Sequence, residues 1–279
     1  MNEIIVAVIL GIVEGLTEFL PISSTGHLIL VSHVLRFIGD KANAFHIFIQ
    51  LGAILAVIGY FRKRIWKLLH SASQPSPETS AAGGLQPNHA RRFLFAILVA
   101  FIPAAVIGLV AHREIEKALF NPMTVAVALV VGGVGILLIE KFRPHPTTTT
   151  MEELSWKQAL IIGVAQCLAL VPGMSRSAST IMGGLLARLD HAAAAEFSFF
   201  LAIPTMFAAT FYSLFNSVSI LSNADLLVFM IGLVVSLIVA WLVIAAFMAF
   251  IKRHSFVAFG WYRIVFGFVL LAALQIGWM

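Results

Sequence analysis

The chain has 279 residues, 60% of them hydrophobic and 11% charged, with a mean hydropathy of +0.99. A soluble domain is about half apolar and about a quarter charged, so this chain cannot cover itself with polar surface and needs lipid as much of its solvent. The formal charge of +5 comes without a basic helix interleaved with aromatics. That excludes a nucleic-acid interface and assigns the excess cations to cytoplasmic loops. The only cysteine, Cys167, excludes an internal disulfide, a CxxC redox pair and a thiolate metal cage.

The chain starts Met-Asn-Glu-Ile-Ile, without the basic n-region of a cleaved signal peptide. Residues 2–37 are apolar but broken by Pro21-Ile-Ser-Ser-Thr-Gly26. Proline removes a backbone donor and clashes with the preceding turn, and Gly and Ser punctuate further. Each arm is too short to span, so the stretch predicts a re-entrant helix-break-helix hairpin. Non-helical backbone at membrane depth survives only where it lines a cavity or is buried in protein. Full spans need about 20 mostly apolar residues and are predicted at 44–61, 93–111 and 122–139. Residues 156–188 repeat the broken pattern around Pro172-Gly-Met-Ser-Arg-Ser177, and three more spans are predicted at 195–215, 226–250 and 256–277. Residues 71–89, rich in Ser, Pro, Ala and Gly, read as a mobile cytoplasmic loop, and the threonine run 147–150 as a plain connector.

The two broken stretches resemble each other. Gly11-Ile-Val-Glu-Gly-Leu aligns with Gly163-Val-Ala-Gln-Cys-Leu, and with one residue of slippage each leads to a proline and a Ser/Thr-rich turn. Ile102-Pro103 and Ile203-Pro204 are a second echo. The chain therefore divides into repeats 1–140 and 141–279, each a hairpin plus three spans. Three is odd, so the second repeat is inverted. Charge bias agrees. The segment 62–92 holds Arg62, Lys63, Arg64, Lys67, Arg91 and Arg92 and is assigned to the cytoplasm. Tracing onward puts Lys141, Arg143, Lys157, Arg188, Lys252 and Arg253 on the same side, with only Arg36, Lys41, Arg113 and Lys117 outside. The hairpins enter from opposite faces, and inverted broken helices bring their tips together near the midplane. The expected fold is an all-α polytopic membrane protein with six full spans and two re-entrant hairpins.

The polar residues of the tips suggest chemistry. Glu14 and Glu18, four apart, share a helix face. Two carboxylates in lipid repel each other unless a cation sits between them, which suggests a divalent-metal or proton site; pairing with an arginine for packing is the blander reading. Ser23, Ser24 and Thr25 open the next half-helix. One would serve as an N-cap, but three hydroxyls at a helix N-terminus also suit an anion. His27 follows Ser24 by one turn, as in an activated serine nucleophile, or else bonds a carbonyl. Arg176 offers a planar fork to phosphate, with Ser175, Ser177 and Thr180 as further donors; its alternative is an ion pair with Glu14 or Glu18. Ser179 reads as helix packing, Gln50 as cavity-lining or interhelical, and Trp261 and Tyr262 as interfacial anchors. Together these parts form a kit for metal-assisted phosphoryl transfer on a lipid. A secondary transporter or lipid flippase shares the broken helices and the midplane acids.

The two tips, Glu14-Gly-Leu-Thr-Glu18-Phe-Leu-Pro-Ile-Ser-Ser-Thr-Gly-His27 and Pro172-Gly-Met-Ser-Arg-Ser-Ala-Ser-Thr180, resemble the signature motifs of the bacterial undecaprenyl-diphosphate phosphatases, also called bacitracin-resistance proteins. Weaker likenesses run through Phe48-Ile-Gln-Leu-Gly-Ala, Phe120-Asn-Pro and Glu196-Phe-Ser-Phe-Phe-Leu-Ala-Ile-Pro. The resemblance implies hydrolysis of undecaprenyl diphosphate to the monophosphate, recycling the cell-wall carrier lipid. It implies a plasma-membrane location, dependence on Mg²⁺ or Ca²⁺, the two-hairpin inverted repeat and a site open to the outer leaflet. By motif position it carries over Glu14, Glu18, Ser23, Ser24, His27, Ser175, Arg176 and Thr180. The expected roles are metal binding by Glu14 and Glu18, nucleophilic attack or water orientation by Ser24 with His27 as base, and phosphate binding by Ser23, Thr25, Ser175, Arg176, Ser177 and Thr180.

Overall fold

Lipid offers no partner to a peptide group, so an apolar chain must satisfy its backbone within helices or a closed barrel. This chain takes the first route. A computed structural model describes residues 2–73, 87–119, 121–217 and 225–277. Six of its helices are long and apolar enough to cross a bilayer: α3 (Asp40–Tyr60), α5 (Pro87–Leu119, apolar through Asn88–Ala111), α6 (Pro122–Phe142), α9 (His191–Ser217, apolar through His191–Tyr212), α10 (Asp225–Ile251) and α11 (Val257–Gln275). They coincide with the six expected spans, and the protein is a multi-pass membrane protein. Caps fix several starts. Asn121 accepts from Thr124 N at 2.8 Å with Pro122 following it, and Ser155 and Gln158 form a capping box ahead of the helix Trp156–Gln166.

The two broken stretches are pairs of short helices. α1 (Glu3–Thr17) is followed by α2 (Ser24–Val34), while α7 (Trp156–Gln166), extended by a 3₁₀ turn at Cys167–Leu170, is followed by α8 (Arg176–Leu186). Each second arm is entered through a serine in the left-handed region, Ser23 and Ser175, both at φ 69°. That conformation costs a non-glycine residue about 1–3 kcal/mol and persists only where surroundings enforce it. Each second arm also ends alike, on left-handed Arg36 (φ 55°) and Arg188 (φ 66°). Phe37 N donates to Ser32 O and Leu189 N to Gly184 O, both at 2.9 Å, closing two equivalent C-terminal motifs.

The first arms cross to the far half of the chain. α1 packs on α10 and α7 on α5. Glycine permits both approaches: a Cβ on Gly11 would stand 2.7 Å from Gly232 O, and one on Gly163 would stand 2.6 Å from Ala100 O. α6 lies along α11, and α3 contacts both α9 and α10. A phenylalanine cluster fills the interior where α3, α5, α9 and α10 meet, with Phe19 edge-on to Phe199 at 5.2 Å and Phe93 edge-on to Phe200 at 5.4 Å. Arg64 of α4 (Arg62–Ser73) bonds Glu152 at 2.6 Å and Glu196 at 2.8 Å, tying α4 to the second half. Gly163→Val is expected to cost about 1–3 kcal/mol by overpacking, read as a lower thermal midpoint in detergent. An unchanged midpoint would contradict the close α5–α7 approach.

Three expectations change. Of the segment 71–89, residues 71–73 close α4 and 87–89 open α5, while 74–86 lie outside the described residues. The run 147–150 is anchored rather than merely connecting. Thr147 N donates to Arg188 O at 2.8 Å, Asp190 N to Thr148 O at 3.0 Å, and Gln158 Nε2 to Thr148 Oγ1 at 2.9 Å. Pro103 sits in the second span after its broken stretch and Pro204 in the first after its own, so these prolines do not correspond.

Candidate functional site

Both breaks open onto one cavity of about 530 Å³. Glu18, Ser23, Ser24 and Thr25 line it from the first break, Ser175 and Arg176 from the second, and Gln50 from α3. Most of the remaining wall is apolar, from α5 (Phe101 to Ile115) and α9 (Met206 to Tyr212). The two breaks thus supply polar side chains to a cavity whose wall is otherwise largely apolar.

The tips touch through charge. Ser24 Oγ donates to Glu18 Oε2 at 2.6 Å, and Arg176 Nη2 donates to Glu18 Oε1 at 3.2 Å. One carboxylate thus holds the first residue of α2 and the first residue of α8 together. Arg176 is fixed from behind. Its Nη1 donates to Ser198 O at 3.2 Å and Ser198 Oγ at 3.3 Å, and its guanidinium lies 5.5 Å from the Phe19 ring centre. Its Nε is buried and makes no hydrogen bond within the protein. A buried donor without a partner, on a residue that lines the cavity, is what a bound anion could satisfy. The Ser23 hydroxyl is likewise buried without a partner.

Four expected residues do not line the cavity. Glu14 is fully buried one turn before Glu18, and neither carboxylate oxygen has a hydrogen-bond partner. Ser177, expected on phosphate, instead donates to Leu20 O at 2.8 Å and so staples the second tip to the first. Thr180, also expected on phosphate, donates to Arg176 O at 2.9 Å and meets Ser198 Oγ at 2.6 Å, buttressing the residues that hold Arg176. His27 makes no bond to Ser24. Its Nδ1 lies 2.7 Å from Ser23 O, its Nε2 lies 2.7 Å from the Tyr262 hydroxyl, and its ring stacks on Phe266 at 4.2 Å. The acceptor next to Ser24 is Glu18. Ser179 donates to Ser175 O at 2.9 Å within its helix, as a packing residue does.

Two residues of α11 join the site without having been expected. Tyr262, expected as an interfacial anchor, is also the hydrogen-bond partner of His27. Arg263 donates to Pro21 O at 3.4 Å, Gly173 O at 3.0 Å and Met174 O at 2.9 Å, so it grips both breaks. Its signal was available: a cation inside an apolar span is a functional candidate by default.

A divalent cation fits this donor set. A buried carboxylate with no partner needs a cation or a proton, and Glu14 is in that state beside Glu18. Among the described residues no group of three or more His, Cys, Asp or Glu side chains gathers. Glu14 and Glu18 are the residues that would hold such an ion, which would help neutralise phosphate charge.

Comparison with known proteins gives the family. The family described as bacitracin resistance protein BacA matches residues 7–269. An undecaprenyl-diphosphatase of Ectopseudomonas mendocina is 53% identical over 271 residues, covering 97% of this chain and 94% of its own. An undecaprenyl-diphosphatase of Aromatoleum aromaticum is 50% identical over 272 residues, covering 98% and 95%. One of Nitrosomonas europaea is 49% identical over 271 residues, covering 97% and 94%. With the match running almost end to end, through both breaks and all six spans, this chain belongs to the bacitracin resistance protein BacA family.

Proposed function

We propose that this chain is an undecaprenyl-diphosphatase of the bacterial plasma membrane. It hydrolyses the phosphoric anhydride of undecaprenyl diphosphate, releasing orthophosphate and the monophosphate carrier for another round of cell-wall synthesis; bacitracin resistance follows from that supply. The observation that carries the reading is the Ser24–Glu18–Arg176 chain of contacts in the wall of a largely apolar cavity. A prenyl tail fits the apolar wall, and a diphosphate fits the cation and helix starts.

In the mechanism, Arg176 Nε and the unpartnered Ser23 hydroxyl receive phosphate oxygens. Ser24 Oγ attacks the terminal phosphorus while Glu18 Oε2, already on its proton, takes that proton. The bond from phosphorus to the bridging oxygen breaks, and the lipid monophosphate leaves with the proton, which Glu18 returns to it. Water then cleaves the phosphoserine with Glu18 as base and releases orthophosphate. In the alternative route the same Ser24–Glu18 pair orients a water that attacks directly. His27 holds the strained Ser23 peptide from behind rather than serving as base. Mg²⁺ or Ca²⁺ on Glu14 and Glu18 would neutralise the phosphate oxygens when bound.

The architecture we infer is an inverted repeat of 1–140 and 141–279 with re-entrant hairpins 2–37 and 156–188. Support comes from the paired left-handed serines and arginines and from the reciprocal α1–α10 and α7–α5 packing. The outer leaflet is the inferred side of access. The cavity wall runs along α5 from Phe101 to Ile115, toward the end opposite the basic segment around Arg91 and Arg92.

The test is orthophosphate release from undecaprenyl diphosphate by purified protein in detergent, with Mg²⁺, with Ca²⁺ and with chelator. Metal-dependent release is expected, and none from folded protein would overturn the reading. Glu14→Gln should raise the metal concentration giving half-maximal rate by about tenfold or more, since changes even one step from a metal cost about 10–100-fold. An unchanged metal requirement would remove Glu14 from the metal site.

A further inference from the structure

Arg263 is the bulkiest of the fully buried side chains. Among the described residues no carboxylate lies within ion-pair distance of it. A buried cation without a counter-charge is expensive, and here backbone carbonyls meet the cost. Nε donates to Leu129 O at 3.4 Å and Nη2 to Ala128 O at 3.1 Å, both on α6. The remaining bonds go to the breaks, to Gly173 O, Met174 O and Pro21 O. α6 yields the room, because a Cβ on Gly132 would overlap the guanidinium.

The gripped carbonyls lie immediately ahead of the strained serines. Met174 precedes Ser175, and Pro21 stands two residues before Ser23. In a trans peptide the C=O and N–H point in opposite directions, and the described chain has no cis peptide. With the Met174 carbonyl turned onto Arg263, the N–H of Ser175 faces away from Arg263. Ser175 lines the cavity and Arg263 does not. The Ser175 hydroxyl is already engaged, accepting from Ala178 N at 3.2 Å and meeting Ser177 Oγ at 3.0 Å. What Ser175 has left to offer a ligand is its backbone donor.

We propose that Arg263 is a positioning residue: by drawing the Met174 and Gly173 carbonyls onto itself, it turns the Ser175 N–H into the cavity as a donor to a phosphate oxygen of the substrate. It also pins the first break through Pro21, so one side chain sets the relative placement of Ser24 and Arg176. Left-handed φ at Ser175 is the strain this grip sustains. The inference rests on the phosphatase reading for its substrate. Its binding half concerns orthophosphate alone.

The test compares wild type, Arg263→Met and Arg263→Lys. For each, kcat and KM for undecaprenyl diphosphate, the inhibition constant of orthophosphate and the thermal midpoint are measured. Loss of one oriented donor lowers kcat by about 10²–10³-fold, so Arg263→Met should lose about that much and bind orthophosphate at least about tenfold more weakly. Arg263→Lys, which keeps a donor to some of the carbonyls, should recover part of both. Arg263→Met with wild-type kcat and orthophosphate inhibition, whatever its midpoint, overturns the proposal. Should Arg263→Met fail to fold, Arg263→Lys decides: an unchanged orthophosphate constant overturns, a raised one supports. A folded wild type inert toward the lipid defeats the phosphatase reading instead. Orthophosphate binding by calorimetry then decides the Arg263 role by the same comparison.

Discussion

Arg176→Ala is expected to lower turnover of undecaprenyl diphosphate by on the order of 10³-fold, the scale seen when a charge-neutralising arginine leaves a phosphoryl-transfer site. Among the described residues Arg176 is the only cation lining the cavity. Its Nη groups are spent on Glu18, Ser198 and Met206, leaving Nε buried without a partner. Arg176→Lys keeps a charge but loses the fork that bonds Glu18 and Ser198 at once, so it should recover little. The same change has a structural cost that must be separated from the chemical one. Glu18 is 8% exposed, and stripping its cation leaves a buried charge, worth about 3–5 kcal/mol of destabilisation. The double variant Arg176→Ala, Glu18→Gln removes that charge. It should regain thermal stability and remain inactive. A stable, active double variant would mean that Arg176 serves packing alone.

That separation explains how much of the site was legible in the sequence. Glu18, Ser24 and Arg176 were readable because polar groups in apolar segments are costly and so announce themselves. The six spans were readable for the converse reason, length and apolarity. The division of labour was not. Spacing made Ser24 and His27 neighbours on one helix face, but the left-handed turn at Ser23 directs the imidazole to the Ser23 carbonyl, four residues back. Its other nitrogen meets Tyr262, 235 positions along the chain. Ser177 and Thr180 looked like ligands because hydroxyls near a helix start often are; here they hold one tip to the other and hold up Arg176. Such assignments depend on which elements from distant parts of the sequence meet, and local pattern carries no record of that.

Ser24→Ala and Glu18→Gln are expected to fail together. If Glu18 accepts the Ser24 proton, each change removes the same event, and effects of residues acting as a unit are far from additive. Each single variant should lose on the order of 10³-fold in kcat by analogy with other nucleophile–base pairs, and the double variant should be scarcely worse than either. The 2.6 Å bond makes this prediction specific to Glu18. His27→Asn, which removes the ring from Ser23 O and Tyr262, should instead act additively with Ser24→Ala where any residual rate can be measured. The covalent route has its own signature: acid quenching of wild type during turnover of terminally radiolabelled substrate should trap label on a peptide containing Ser24. Label absent from protein, with Ser24→Ala still turning over within about tenfold of wild type, would select direct attack by water. Glu18 would then be the base for that water, because among the described residues no other carboxylate lines the cavity.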